Sequence, residues 1–483
     1  MKTDSIKLRT VVLGLFFVAA GLLYSAFLIK LNFANVHPGY RITAWMPPLF
    51  AVCYLLFLHK PLIQYKSPFI FLFTLVCVMR YVVLSVLTLR QGDFSFYSRI
   101  SPADEHLRLA GLMMCFELVV DCAVIRLLSD KLLPSAPRET RLKSADNVSV
   151  YLLFIAFVLL LLLAVPKARE GLSFGFDISH SENESVGPLL ILGIRECFVN
   201  AKYFLLFAAV WLLQKDADRH SSLEKRESDL PLRGYWIILL FCVIVVALRI
   251  GTNKKKLICD ALACMFLLMH LFPKRKTFTI GSLSVLAFLF VLSAAIFRGQ
   301  NNSAVDLLSQ FFTDIQETEQ YFCGQYHVAI AIEAKLNYPE MISWQNCVLH
   351  FFRPMFIIGS FVKKIPGFIL LSDVFDRRMS YAISGAYGSI DSQILCSLGE
   401  GYMMFGKLFS PIFSAAVSAL GLFFDRLFKR SDRMEIVFIS IIMAFYCAQG
   451  MILGTTQIIN HLTYRLTIYL AVVWLNSKFQ IKV

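Results

Sequence analysis

Several motifs of familiar catalysts are missing from this sequence of 483 residues. It has no GxGxxG, no GxxxxGK followed by Ser or Thr, and no HExxH, so neither a nucleotide-phosphate loop nor a zinc-protease helix is indicated. The twelve cysteines form no CxxC pair, and most lie in apolar runs, where cysteine behaves as a small hydrophobic residue. The nine histidines show no metal-ligand spacing. The sequence therefore predicts an activity that uses no metal and no other cofactor.

Charged residues are also scarce. They make up 17% of the chain, against 57% hydrophobic residues, and the mean hydropathy is +0.65. A soluble protein of this length could not bury so much apolar surface. Apolar runs of about 17–25 residues alternate with charged clusters, which is the pattern of an all-α polytopic membrane protein. We predict about twelve transmembrane helices, over 11–29, 42–58, 68–89, 105–128, 149–166, 188–213, 235–250, 257–272, 277–297, 405–426, 435–454 and 459–476.

The net charge of +14 is explained by loops between these helices and does not indicate a nucleic-acid partner. Four basic loops fall on one side of the predicted membrane, together with the basic N-terminus: 133–143, 214–233, 273–276 and 425–433. Short loops rich in Lys and Arg mark the cytoplasmic side. Both termini are therefore predicted to be cytoplasmic.

This topology divides the chain into three parts. Residues 1–297 carry helices 1–9, residues 298–404 form a large extracytoplasmic loop, and residues 405–483 carry helices 10–12. Within the loop, 316–336 has the pattern of an amphipathic helix, and 349–371 is too interrupted by charges and prolines to span, so it is predicted to lie at the membrane interface. Loops of this length are usually functional.

Ionisable residues inside the predicted spans allow two interpretations. Arg80, Glu117 and Asp121 are predicted to pair with one another and to stabilise the bundle. Other cations gather on the predicted outer side, where they are either local exceptions to the orientation rule or a binding site for an oxyanion such as pyrophosphate. These cations are Arg195, Arg249, Lys254, Lys255, Lys256, Arg298 and Arg465.

Two stretches resemble a known family. The segment GSIDSQILCSLGEGYMMFG, over 388–406, resembles the acidic and aromatic stretch ending in FG that precedes a late span in Wzy-type oligosaccharide repeat-unit polymerases. The segment ALRIGTNKKK, over 247–256, resembles the arginine-bearing outer turn that these polymerases share with O-antigen ligases. The predicted topology, with a large outer loop late in the chain, is similar over the whole length. The resemblance implies a GT-C-like helical fold.

The resemblance also implies an activity. Such an enzyme is a metal-independent, inverting, lipid-linked glycosyltransferase of the bacterial inner membrane. It joins undecaprenyl-pyrophosphate-linked oligosaccharide repeat units into surface polysaccharide, O-antigen or similar, at the outer membrane face, and undecaprenyl pyrophosphate is the leaving group. The lipid-linked oligosaccharide and membrane lipid are then the expected partners, with a chain-length regulator and a flippase as further candidates.

Roles for individual residues follow from the same resemblance. Cations would bind the departing pyrophosphate: Arg249, Arg298 and one or more of Lys254, Lys255 and Lys256, assisted by Arg195 or Arg353. A general base must accept the proton of the attacking hydroxyl, and His350, Glu400 and Asp391 compete for that role. Arg377, Tyr387 and Tyr402 are the predicted glycan contacts.

Two alternatives remain open from the sequence. A lipid-linked oligosaccharide flippase also has about twelve spans with buried charges, but it lacks so long an outer loop and usually shows related halves. An O-antigen ligase has nearly the same topology as a polymerase. The acidic GEGY sequence, over 399–402, favours the polymerase.

Overall fold

The structure is a computed structural model, and the part of the chain that it describes is helical. It describes residues 36–91, 101–133, 142–143, 147–165, 189–221, 232–248, 254–272, 275, 277–282, 319, 321–355, 357–362, 364–384 and 394–479. The helices are α1 (Pro38–Tyr65), α2 (Pro68–Gln91), α3 (Asp104–Leu132), α4 (Ser149–Ala164), α5 (Leu189–Ser221), α6 (Leu232–Ala247), α7 (Lys254–Leu271), α8 (Gln325–Asn337), α9 (Trp344–Phe352), α10 (Ile358–Val362), α11 (Leu371–Ser384), α12 (Ser397–Phe405), α13 (Ile412–Arg430), α14 (Met434–Ala448) and α15 (Thr455–Lys478). Over these ranges the all-α prediction is confirmed.

Four helices are long and apolar enough to cross a membrane. They are α1, α2, the Gly193–Asp216 part of α5, and α15. The helices α4 and α14, with most of α6 and α7, are shorter and also apolar. These are the features of an all-α membrane protein. The predicted span 11–29 and most of 277–297 lie outside the described residues.

Three of the four spanning helices contain a π-helical turn. The turns are Tyr54–Leu58 in α1, Val78–Val83 in α2 and His461–Leu466 in α15. A π turn holds one residue more than the α-helical turn that it replaces. Two of these turns carry a buried arginine, Arg80 and Arg465.

The predicted tenth span, over 405–426, begins with a turn and becomes helical only at Ile412. The helix α12 ends at Phe405, and α13 begins only at Ile412. Between them Gly406 has φ of 78°, a backbone conformation that glycine adopts without the steric cost of a side chain. The 405–426 segment is therefore a turn followed by a helix.

The chain divides into two compact units. Unit 1 comprises 1–137, 308–426 and 444–460, and unit 2 comprises 138–307, 427–443 and 461–483. In unit 1 the central element is α8, which packs against α3, α11 and α12. The residues from Gln325 to Ala334 are all buried, so the helix expected to be amphipathic over 316–336 is instead enclosed on every side.

A buried ion pair in unit 1 confirms part of the predicted charge pairing. Arg80 Nη1 lies 2.9 Å from Glu117 Oε2, and both side chains are completely buried. Arg80 also donates to the carbonyl oxygen of Met451 at 2.7 Å, and the Tyr81 hydroxyl donates to Glu117 at 3.1 Å. Asp121 accepts from Ser414 Oγ at 3.2 Å.

We expect Glu117→Gln to destabilise the protein by about 3 kcal/mol, because it leaves the buried Arg80 guanidinium without its counter-charge. The matched control is Asp130→Asn, which removes the carboxylate of the partly exposed Arg126–Asp130 pair on the same helix and should cost no more than about 1 kcal/mol. Thermal unfolding in detergent measures both variants. Equal, small shifts in Tm would contradict the expectation.

Unit 2 has its own buried charges. Lys202 Nζ lies 2.6 Å from Asp260 Oδ2, and the Tyr203 hydroxyl donates to Asp260 Oδ1 at 2.6 Å. Arg465 Nε lies 3.7 Å from Glu196 Oε2. Arg465, one of the cations assigned to the outer side, is thus held by an acidic residue within the unit.

Candidate active site

The helix α12 places Glu400 in the interior of unit 1. Glycines flank this residue on both sides. A Cβ atom at Gly401 would lie 2.0 Å from the carbonyl oxygen of Ser410, and one at Gly399 would lie 3.0 Å from the Cβ of Ala331 on α8. Because neither position has a side chain, α12 packs closely against its neighbours, and the Glu400 side chain is only 1% exposed.

The carboxylate of Glu400 joins two elements. Its Oε2 accepts a hydrogen bond from the backbone N–H of Thr455 at 2.7 Å, and its Oε1 lies 3.2 Å from His350 Nε2. Thr455 is the first residue of α15. A helix N-terminus has N–H groups without intrahelical partners, and Glu400 accepts from one of them.

This contact determines how His350 can act. A carboxylate accepts hydrogen bonds, so in the neutral form of His350 the proton is on Nε2. In that form the other nitrogen, Nδ1, carries a lone pair. It is buried and has no hydrogen-bond partner among the described residues. A carboxylate that orients a histidine whose second nitrogen is free is the arrangement of a general base.

The helix α9 carries His350 and is fixed at its start. Ser343 is its N-cap, and its hydroxyl oxygen accepts from the Asn346 N–H at 3.2 Å. His350 follows near the end of this short helix and is completely buried. The residues after α9 turn back through α10 before α11 begins.

At the start of α11, Asp373 lies among three groups to which roles were assigned from the sequence. Its Oδ2 accepts from the Leu370 N–H at 3.3 Å, the position of a capping carboxylate. Asp373 is exposed at the surface, yet the surrounding protein desolvates its carboxyl group and raises its pKa. The Leu370 hydrogen bond acts in the opposite direction and lowers that pKa, as do the nearby side chains of Arg353, His350 and Arg377. These three side chains therefore lie close enough to influence one carboxyl group.

A cavity of about 550 Å³ lies where α8, α9 and α12 meet. It is lined by Lys335, Leu336, Pro339, Ile342, Trp344, Cys347, Met403 and Met404. Cys347 on α9 and Met403 on α12 each lie one helical turn from the paired residues. Tyr402 stands beside this cavity: its carbonyl oxygen accepts from Lys335 Nζ at 2.9 Å, and burial raises the pKa of its phenol.

The structure describes some of the predicted site residues and not others. The structure brings together His350 and Glu400, and it brings Arg353 and Arg377 near Asp373. Arg195 lies on α5 in unit 2, half-buried, with its Nε unpartnered among the described residues. The backbone of Lys254, Lys255 and Lys256 begins α7. The side chains of these lysines, and all of Arg249, Arg298, Tyr387 and Asp391, lie outside the described residues.

Sequence reasoning missed Asp373 and the cavity. An acidic residue in the first turn of a helix is a recognisable signal, and Asp373 occupies that position in α11. The cavity has no such signal, because its lining comes from three helices and the turn between two of them. Across the described ranges there is no group of three or more His, Cys, Asp or Glu side chains that could hold a metal ion.

Comparisons of the chain with protein-family models, curated proteins and solved structures gave no match.

Proposed function

We propose that this protein is a lipid-linked glycosyltransferase that polymerises undecaprenyl-pyrophosphate-linked oligosaccharide repeat units into surface polysaccharide. The observation that carries the proposal is the buried His350–Glu400 pair, whose geometry suits proton abstraction from an attacking hydroxyl. The family resemblance of 388–406 and 247–256 supports the choice of substrate. The proposal includes a GT-C-like bundle of twelve helices in the bacterial inner membrane, cytoplasmic termini and 298–404 on the outer side.

The proposed reaction is an in-line displacement. The hydroxyl oxygen of a newly delivered repeat unit attacks the anomeric carbon of the growing chain, and the bond from that carbon to undecaprenyl pyrophosphate breaks. The hydroxyl proton moves to His350 Nδ1, and Glu400 stabilises the imidazolium that forms. The configuration at the anomeric carbon inverts, because the nucleophile and the leaving group lie on opposite faces.

Cations hold the leaving group in this proposal. Arg249, Arg298 and one or more of Lys254, Lys255 and Lys256 bind the pyrophosphate, with Arg195 or Arg353 assisting. Positive charge that is already in place where negative charge develops lowers the barrier without reorganisation. Arg377, Tyr387 and Tyr402 contact the glycan, and either Asp391 or Asp373 is available as a further carboxylate beside it.

The test uses purified protein in lipid nanodiscs, supplied with one defined undecaprenyl-pyrophosphate oligosaccharide. A polymerase produces a ladder of longer lipid-linked glycans and releases one undecaprenyl pyrophosphate for each bond formed. A ligase leaves this substrate unchanged until a lipid-core acceptor is added. A flippase, assayed in vesicles, moves the substrate across the bilayer and forms no glycosidic bond. Either of the last two results would reject the proposal.

A further inference from the structure

The cavity beside α9 and α12 has an apolar wall and an open rim. Besides its lining of methionine, proline and isoleucine, it has two apolar side chains that are well exposed, Trp344 at 74% and Leu336 at 54%. Exposed apolar residues also occur at the end of α12 and just after it, at Phe405, Leu408 and Phe409. Large exposed apolar side chains that line a cavity indicate contact with another apolar phase. In a membrane protein that phase is the acyl-chain region.

One cation lies beside this apolar wall, and no counter-charge pairs with it in the part of the chain that the structure describes. Lys335 Nζ donates to the carbonyl oxygen of Tyr402 at 2.9 Å and lies 5.1 Å from the centre of the Tyr402 ring. Within the described ranges no carboxylate oxygen lies within 4.0 Å of this ammonium group, which has three donors. Desolvation lowers the pKa of Lys335. A half-buried cation of this kind gains from an anion that comes with the ligand.

We propose that this cavity binds an anionic glycerophospholipid of the surrounding bilayer, with its phosphate on Lys335 Nζ and one acyl chain over Leu336 and Trp344. The combination of one cation and an apolar platform matches a ligand with one phosphate and a hydrocarbon chain. The volume of about 550 Å³ accommodates a headgroup and the first part of a chain. This binding does not require glycosyl transfer.

The cavity contains its own reporter. Cys347 lines the cavity and is 6% exposed, so a lipid in the cavity covers the part of this side chain that the protein leaves accessible. The experiment compares the full-length protein in nanodiscs of phosphatidylcholine alone with the protein in nanodiscs that also contain phosphatidylglycerol. Alkylation of Cys347 by a small maleimide is followed by peptide mass spectrometry, and unfolded protein with the same lipids gives the reference rate. We expect phosphatidylglycerol to slow alkylation of Cys347 in the folded protein about fivefold and to leave the rate in the unfolded protein unchanged.

Three variants decide the outcome. Lys335→Gln keeps a donor for the Tyr402 carbonyl but loses the charge, so the difference between the two lipids should disappear. Lys407→Gln removes an exposed lysine just beyond α12 and should keep the full effect. Trp344→Gln changes a side chain that is too exposed to affect folding, and it should reduce the protection. An unchanged effect in Lys335→Gln, no effect in the natural protein, or equal protection by inorganic phosphate without phosphatidylglycerol would overturn the proposal.

Discussion

Replacing His350 with asparagine is expected to lower the rate of polymer formation by about 10³-fold, because the attacking hydroxyl then has no positioned group to accept its proton. Asparagine matches part of the imidazole in size and polarity, so α9 should keep its place. The measurement is single-turnover conversion of the lipid-linked oligosaccharide by protein in nanodiscs. The amount of bound substrate should change little, since the proposed pyrophosphate contacts are made by other residues.

Glu400→Gln tests the other member of the pair, the carboxylate that contacts His350. The amide is neutral and presents both a donor and an acceptor, so it no longer requires the proton of His350 to sit on Nε2. The rate should fall by about 10³-fold or more, as occurs when a triad carboxylate becomes an amide. The matched control is His270→Asn, which changes an exposed histidine on α7. Activity within about twofold of the natural protein in either His350→Asn or Glu400→Gln would remove the pair from the mechanism.

The second large effect is expected at Gly454, one residue before α15. A Cβ atom there would lie 2.6 Å from Glu400 Oε1 and 2.6 Å from the carbonyl oxygen of Leu395. Both distances are far below van der Waals contact, so Gly454→Ala must displace the carboxylate from His350. We expect the rate to fall by about 10²-fold, and the strain to cost about 1–3 kcal/mol of stability.

The control for this variant is Gly193→Ala in α5, where a Cβ atom meets no atom of the described residues within 4 Å. Alanine favours a helix over glycine by about 1 kcal/mol, so this variant should be at least as stable as the natural protein and fully active. Tm and single-turnover rate are measured for both. If Gly454→Ala kept the natural rate while losing stability, the close approach to Glu400 would have no part in catalysis.

The sequence predicted the helices better than the contacts between them. Apolar runs identified most helices, because burial in lipid or in a helical core leaves a direct compositional signal. Both His350 and Glu400 were among the three candidates for the base. Their contact could not be predicted, since no spacing rule connects two residues on different helices separated by a long, irregular segment.

Two elements, α8 and the turn at Gly406, show why parts of the fold could not be predicted from the sequence. The α8 segment has charged and polar residues at several positions, and that pattern indicated an amphipathic helix. In the structure Glu333 is paired with Arg378, and Gln325 donates to the Gly39 and Leu107 carbonyls at 2.9 and 2.6 Å. Tertiary partners therefore make a polar sequence suitable for the interior. The turn at Gly406 was not predicted because 405–426 is mostly apolar, and Gly406 and Lys407 break the apolar run only briefly.

The π turn at Val78–Val83 makes α2 tolerant of a change in length at one place. The turn holds one residue more than an α-helical turn, and it takes up this residue between Pro68–Cys77 and Leu84–Gln91, the regular segments on either side. Deleting a single residue within this turn would therefore restore regular α-helical winding and leave the two segments with the same relative orientation. A frame-preserving loss of one codon in either regular segment would instead rotate all residues beyond it by about 100°, and its effect would resemble many simultaneous substitutions.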